Sequence, residues 1–76
     1  MGGVSYVSRE SNYTTLIDEQ GAVSYIGKAL PKSATSSPVW QIKKLTQTET
    51  LLSVVFADGN DNFDNVWDNR ASLVYL

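Results

Sequence analysis

Hydrophobic and polar residues alternate, or cluster in short β-branched and aromatic runs, along most of this 76-residue chain. The first pair of such runs is "NYTTLI" (12–17) and "AVSYIG" (22–27), joined by "DEQG" (18–21). Because Gly21 readily adopts the left-handed conformation of a tight turn, this pattern predicts a β-hairpin. With Asp18 facing Gly21, Leu16 would lie opposite Val23. Both faces of the hairpin carry apolar residues, so we expect the sheet to be covered on both sides.

A loop is predicted next, over "KALPKSATSSP" (28–38), where two prolines bracket small polar residues without periodicity. We expect this loop to be mobile in an isolated subunit and to pack flat against a neighbouring chain. "VWQIKKLT" (39–46) then resumes the strand pattern, with Trp40 and Ile42 predicted on a buried face. Gln41 and Lys43 would face water, and the irregularity at 43–45 indicates a bulge or the end of the strand.

The most apolar segment is "LLSVVFA" (51–57), which follows a polar, turn-like "QTET" (47–50). Seven residues are too few for a helix, and the β-branched content favours a central strand. "SLVYL" (72–76) predicts a short final strand, and "VSYVS" (4–8) predicts an edge strand or a disordered segment.

These elements predict an all-β protein with one short helical turn, folded as a small antiparallel β-sandwich or barrel of about five or six strands. We expect residues 1–11 to form an N-terminal arm or edge strand and residues 12–76 to form a single β domain. The predicted core comprises Ile26, Trp40, Leu52, Val54, Phe56, Phe63 and Trp67.

The small size of the chain limits its stability. A core of this size supplies only about 3–5 kcal/mol unless something reinforces it. The chain contains neither cysteine, which excludes a disulfide, nor histidine, which argues against structural zinc. Either the core is unusually well packed or the chain assembles with copies of itself or another protein, and we favour assembly.

The charge distribution argues against two classes of partner. The net charge is −2 and the six basic residues are scattered, whereas nucleic-acid binding needs a dense basic face. No apolar run approaches the roughly 20 residues of a membrane span, and the N-terminus lacks the pattern of a signal peptide. We therefore expect neither a nucleic-acid nor a membrane partner, and synthesis in a cytosol.

The most unusual segment is "ADGNDNFDNVWDN" (57–69), in which four aspartates and four asparagines surround Phe63 and Trp67. Our preferred interpretation is structural, because Asp and Asn bond their own backbone and tolerate left-handed conformations. Asp58-Gly59 would form a tight turn, and Asp64 would cap a helical turn over 65–70. Asp68 would pair with Arg70 or a lysine on the surface.

A calcium site is the second interpretation of this segment. Asp58, Asn60, Asn62 and Asp64 are the candidate ligands, since alternate Asp/Asn positions begin a calcium loop. The glycine position of that loop is occupied by Phe63, however, and the bidentate glutamate is missing. We therefore predict no metal and no other cofactor.

A sugar-binding platform is the third interpretation, because an exposed aromatic ring beside Asp and Asn suits a carbohydrate. Trp67 with Asp68 and Asn69 forms one candidate platform, and Trp40 with Gln41 forms another. Tryptophan in so small a domain is more often part of the core. Catalysis is not expected, because the usual histidine and cysteine groups are absent and no catalytic motif is present.

The order of motifs resembles that of small, uncharacterised proteins associated with the virions of tailed bacteriophages and prophages. "YIGKALPKSATSSPVWQIKKL" is followed by "ADGNDNFDNVWDNRASLVYL", and the run from Phe63 to Leu73 is the most specific part. The resemblance extends from about Asn12 to Leu76. This chain departs from it at Leu30-Pro31-Lys32, where many such proteins have Pro-Gly, and in its N-terminal segment.

The resemblance implies a non-enzymatic structural protein of the bacteriophage virion. Such a protein would decorate or join capsid, neck, tail or head-fibre components through repeated protein–protein contacts, including contacts between copies of itself. It would be assembled in the cytoplasm of the bacterial host. The alternative is a carbohydrate-binding module on the virion surface that attaches to a host receptor or glycan.

Overall fold

The computed structural model describes residues 12–76, and the predicted N-terminal arm or edge strand of residues 1–11 lies outside them. The elements in chain order are β1 (Thr14–Gln20), β2 (Val23–Ala29), β3 (Pro38–Thr48), β4 (Leu51–Phe56), β5 (Asn65–Val66) and a 3-10 helix, η1 (Trp67–Ser72). The predicted all-β class, with about five strands and one short helical segment, is confirmed.

The five strands belong to one antiparallel sheet. Four of them follow the order β1-β2-β3-β4, while β5 pairs with the start of β3 at Pro38 and Trp40. The sandwich or barrel that the sequence predicted is thus replaced by a single sheet among the described residues. The chain after β4 forms η1 and a C-terminal segment that cover one face, instead of strands of a second sheet.

The β1–β2 hairpin is confirmed, but its predicted register was wrong. Gln20 pairs with Val23 and Leu16 pairs with Gly27, so the connection is the two-residue turn Gly21-Ala22. Gly21 has φ +66°, and a positive φ at the first central position matches the twist of a two-residue hairpin turn. Strand β1 therefore extends through Asp18 to Gln20 rather than ending at residue 17.

Strand β4 was predicted to be central, and this prediction was wrong, since β4 is the last strand of the order and β3 is central. The expected irregularity at residues 43–45 was also wrong. Lys43, Lys44 and Leu45 pair continuously with β4, and the register shift lies between Pro38 and Trp40. The loop predicted over 28–38 is shorter than expected, because β2 continues to Ala29 and β3 begins at Pro38.

The C-terminal elements also differ from the prediction. Residues 72–76 form no strand, because η1 extends to Ser72 and only Tyr75 makes an isolated bridge, to Ala57. Helix η1 begins at Trp67, two residues later than expected. Val66 occupies its N-cap position without a side-chain cap, so the predicted capping by Asp64 was wrong.

The core is centred on two tryptophan rings, of Trp40 on β3 and Trp67 on η1, whose centroids lie 6.0 Å apart. They are only 1% and 7% exposed. Gly27 leaves the space they need, because a Cβ there would come within 2.6 Å of Cζ3 of Trp67. The other buried apolar residues are Ala29, Ile42 and Ala57.

Of the seven predicted core residues, only Trp40 and Trp67 are buried. Ile26 and Phe56 are half-buried. Leu52, Val54 and Phe63 are exposed, and placing them in the core was wrong, because the described chain puts no element over them. Their exposure leads to the candidate site.

Candidate interaction surface

The pairing register separates the two faces of the sheet, because directly opposed residues of neighbouring strands point to the same face. One face carries Trp40 and packs against η1, where Trp67 lies. Asp18 and Tyr25 belong to the same face, since Asp18 bonds Arg70 of η1 and the Tyr25 ring lies 5.9 Å from that of Tyr75. We call this the covered face.

The opposite face, which we call the open face, carries both apolar and polar side chains. One row across it is formed by Ile17, Ile26, Lys43 and Phe56, which are paired in succession from β1 to β4. The next row is Glu19, Ser24, Leu45 and Val54, of which the two on β3 and β4 are apolar. Ile17 is 60% exposed and Leu52 57% exposed, and no helix or strand among residues 12–76 lies over these side chains. The expectation of cover on both sides is therefore unmet within the described chain.

Lysine side chains on the open face lie across aromatic rings. The Lys43 ammonium is 5.5 Å from the centroid of the Phe56 ring, and that of Lys28 is 5.0 Å from the centroid of the Tyr13 ring. Cation–π contacts of this kind keep the lysine stems flat on apolar surface. The open face thus combines exposed apolar groups with two lysine ammonium groups and the carboxylate of Glu19.

At one end of the open face, the Tyr13 and Phe63 rings stack with their centroids 5.3 Å apart. These rings and three further residues line a shallow cleft of about 410 Å³; the further residues are Leu30, Ser33 and Val39. Phe63 reaches this position because the segment after β4 passes over Gln41, whose Nε2 donates to the Asp61 carbonyl at 3.0 Å. Gln41 was predicted to face water, and its burial under this segment shows why that was wrong.

Three of the four candidate calcium ligands, Asp58, Asn60 and Asn62, take part in turn formation. Asp58 and Gly59 have φ of +62° and +73°, which confirms the predicted tight turn. Oδ1 of Asn60 accepts from the backbone N–H of Asn62 at 3.0 Å, and its Nδ2 donates to the Asp58 carbonyl at 3.5 Å. No three Asp or Glu side chains in residues 12–76 are grouped as metal ligands would be, so the structure adds no support for calcium at Asp58, Asn60, Asn62 and Asp64.

The predicted sugar platform does not form, because Trp67 is buried with its ring against Trp40. Asp68 and Asn69 are exposed, but the ring beside them is unavailable for stacking. Trp40, the other candidate, is also buried, with its Nε1 donating to the Ala34 carbonyl at 3.0 Å. Neither tryptophan ring is exposed for stacking on a sugar, so both predicted platforms were wrong.

Arg70 has a structural role that the sequence did not indicate. Its Nε donates to Asp18 at 2.9 Å, whereas the predicted partner was Asp68. Its guanidinium also lies 4.6 Å from the centroid of the Trp67 ring, and its Nη1 donates to the Trp67 carbonyl at 3.1 Å. These contacts hold η1 on the covered face and so fix which face stays open.

In the described part of the chain, no helix has the length and apolar character needed to cross a membrane. Comparison with known proteins gives no family model, no curated protein and no solved structure that matches this chain. The candidate surface must therefore be interpreted from its own geometry.

Proposed function

We propose that this protein is a non-enzymatic structural component of a bacteriophage virion that acts through repeated protein–protein contacts. It would decorate or join capsid, neck or fibre components after assembly in the bacterial cytoplasm. The identity of the particle comes from the motif resemblance over residues 12–76. The mode of action is supported by the open face.

The observation that carries this proposal is the set of exposed apolar residues on the open face of the sheet. Among the described residues, only five apolar ones are buried, while Ile17, Leu52 and Val54 are more than half exposed. Exposed apolar patches of this kind mark protein–protein interaction sites. Burial of the open face against a partner would add apolar area that the chain's own core lacks.

The chemistry of the open face also indicates the kind of protein surface that fits it. The ammonium group of Lys43 lies within an apolar row and that of Lys28 near one end of the face, so a matching surface would be apolar with carboxylates placed opposite these two lysines. Such charges set orientation and suppress wrong partners. Where several linked copies bind a symmetric particle at once, the overall attachment is much stronger than any single contact of this kind.

Purified particles of the phage or prophage that encodes the chain provide the test. We expect mass spectrometry to detect the chain in the particles, in many copies. The variant Ile17→Thr/Leu52→Thr removes apolar surface but keeps β-compatible side chains, and it should be lost from the particles. Ser72→Ala, on η1, is the control and should be incorporated normally. Absence of the wild-type chain from the particles would contradict the proposal.

A carbohydrate-binding module remains the second candidate function, because the exposed Tyr13–Phe63 pair lines a cleft beside Ser33. Isothermal titration with glycans of the host surface distinguishes the two. The structural role predicts no saturable heat for the wild-type chain. Glycan binding that Tyr13→Leu or Phe63→Leu abolishes would favour the module instead.

A further inference from the structure

The outer edge of β4 carries backbone groups that point away from the sheet. The N–H of Ala57 donates to the carbonyl of Ile42 at 2.9 Å, so Ala57 points its backbone groups toward β3. Direction alternates along a strand, and Leu52, Val54 and Phe56 must therefore point theirs outward. The carbonyl of Phe56 confirms this, because it accepts from the N–H of Leu76 at 3.2 Å.

The C-terminal segment covers only one end of this edge. Tyr75 bridges Ala57 and Leu76 reaches Phe56, but no described residue pairs with the outward groups of Leu52 and Val54. Two N–H groups and two carbonyls are thus presented side by side. An edge strand with such groups is a template for pairing with another chain.

The sequence of β4, "LLSVVF", contains none of the features that natural proteins use to block an edge. It has no charged residue, no proline and no glycine, and its pairing with β3 shows no bulge. Strand β1 at the opposite edge is different, since it carries Asp18 and Glu19. Two copies of β4 would meet without placing like charges opposite each other, which identifies a second copy of this chain as a compatible partner.

We infer that β4 pairs antiparallel with β4 of a second copy, around a two-fold axis that passes beside Ser53. In this register, Leu52 of each copy exchanges both backbone hydrogen bonds with Val54 of the other, which uses all the outward groups of these two residues. Of the two neighbouring registers, one would place Leu52 opposite Phe56 of the second copy, where Leu76 already occupies the carbonyl. The other would place Val54 opposite Thr50, which lies in the turn between β3 and β4 and not in a strand. A two-fold contact is self-complementary, as an interface between identical surfaces must be.

This inference deepens the assembly role proposed above by naming a partner and a register, and it rests on that role for its biological purpose. The sheets of the two copies would join, so that their open faces form one continuous surface with the apolar residues of β4 at its centre. Pairing of two short strands buries less surface area than a standard protein–protein interface. We therefore expect a dimer whose population depends on protein concentration.

A single cysteine at the axis tests the register. Ser53 would lie opposite Ser53 of the second copy as a non-hydrogen-bonded pair, with the Cα atoms about 4.5 Å apart, which suits a disulfide. The chain has no cysteine of its own, so Ser53→Cys gives one possible cross-link. We expect mild oxidation to convert most of the Ser53→Cys chain to a covalent dimer, well ahead of the control Ser36→Cys in the exposed loop. Equal linking of the two variants would overturn the inference.

Sedimentation equilibrium of the full chain tests the hydrogen bonds. Val54→Pro removes only an outward donor and leaves the β3–β4 ladder intact, so it should weaken dimerisation at least about tenfold. If circular dichroism shows that this variant is unfolded, Val54→Lys replaces it with the same expected loss. Unchanged dimerisation of a folded variant would overturn the inference. The inference would also be overturned if the wild-type chain were monomeric and its Leu52 and Val54 amides were protected from hydrogen exchange. Residues of the same chain would then cover the edge.

The two proposals fail in different ways. Ile17→Thr lies on β1, on the open face but far from the β4 edge, so it should leave dimerisation unchanged while weakening attachment to particles. If Ser53→Cys links as expected but the chain is absent from particles, the edge pairing stands and the virion role falls. If the chain is present in particles but Ser53→Cys does not link, the reverse holds.

Discussion

Arg70 of η1 donates from Nε to Oδ2 of Asp18 on β1 at 2.9 Å, and the two residues are 52 positions apart in the chain. The bond fastens the C-terminal helix to the covered face at the far edge of the sheet. The same carboxylate accepts from Nε2 of Gln20 at 2.8 Å. Hydrogen bonds from Gln20 and then Arg70 lower the pKa of Asp18 below its ordinary value.

Acid stability should therefore depend on Asp18. A lowered pKa in the folded state adds stability that is fully present above the ordinary aspartate pKa of about 3.9 and disappears as the pH falls through the lower folded-state value. Melting temperatures measured from pH 7 down to pH 2 should fall less steeply for Asp18→Asn than for wild type. Asp61→Asn, which removes an exposed carboxylate, controls for net charge. Parallel curves for wild type and Asp18→Asn would show that the bond contributes nothing.

Tyr75 should govern stability at high pH. Burial, followed by the nearby Tyr25, raises the pKa of Tyr75 to about 12, and its hydroxyl donates to the Arg70 carbonyl at 2.7 Å. Because the folded-state pKa lies above the unfolded value, this stabilisation is complete below about pH 10 and is lost as the pH rises through about 12. Absorbance titration should show one of the four tyrosines ionising late.

The matched variant for this prediction is Tyr75→Phe. It should lose the late-ionising tyrosine and about 1 kcal/mol of stability at neutral pH, because the Arg70 carbonyl loses its donor. Tyr13→Phe, in the exposed cleft, should leave the late ionisation in place. If the late step survives in Tyr75→Phe, it belongs to another residue.

Gly27 should be intolerant of a side chain. A methyl group there would come within 2.6 Å of Cζ3 of Trp67 and 3.3 Å of Cε3 of Trp40. Overpacking of this kind costs about 1–3 kcal/mol, so Gly27→Ala should lower the midpoint of urea unfolding. In the background of Trp67→Phe the same change should cost less, because the clashing ring is smaller. Additive effects of the two substitutions would contradict the close packing.

Glu49 should be replaceable with a gain in stability. It lies in the turn between β3 and β4 with φ +54°, a conformation that disfavours residues with a Cβ. Glu49→Asn should raise the free energy of unfolding by about 0.5–1 kcal/mol, because asparagine tolerates the left-handed region. Glu49→Gln keeps the strain and removes the charge, so it should change little. Equal gains from both variants would point to charge instead of backbone conformation.

Local sequence chemistry located the first four strands and two of the turns, but it missed β5 and predicted a strand over 72–76 that does not form. Turn residues at Gly21 and Asp58-Gly59, and β-branched runs between them, are sufficient for that purpose. The hairpin register could not be obtained in this way, because Asp18 is a typical turn residue but here belongs to β1 and bonds Arg70. A contact across 52 positions leaves no local pattern in the sequence.

The position of β4 was not predictable from its composition, and the reason bears on function. An apolar run such as Leu51–Phe56 usually indicates burial within the same chain. The pattern indicates only that both faces of the strand are apolar. It does not show whether the same chain or another chain covers them. The exposed apolar residues of the open face and of β4 are therefore where sequence and monomer structure disagree, and they coincide with the proposed interaction surfaces.

The central claim is that the open face is completed by other protein. Co-sedimentation of the purified full chain with particles from a phage strain that lacks its gene tests this most directly. We predict saturable attachment of many copies per particle, lost in Ile17→Thr/Leu52→Thr and retained in Ser72→Ala. A folded wild-type chain that stays in the supernatant at every concentration, or a double variant that attaches as well as wild type, would contradict the claim.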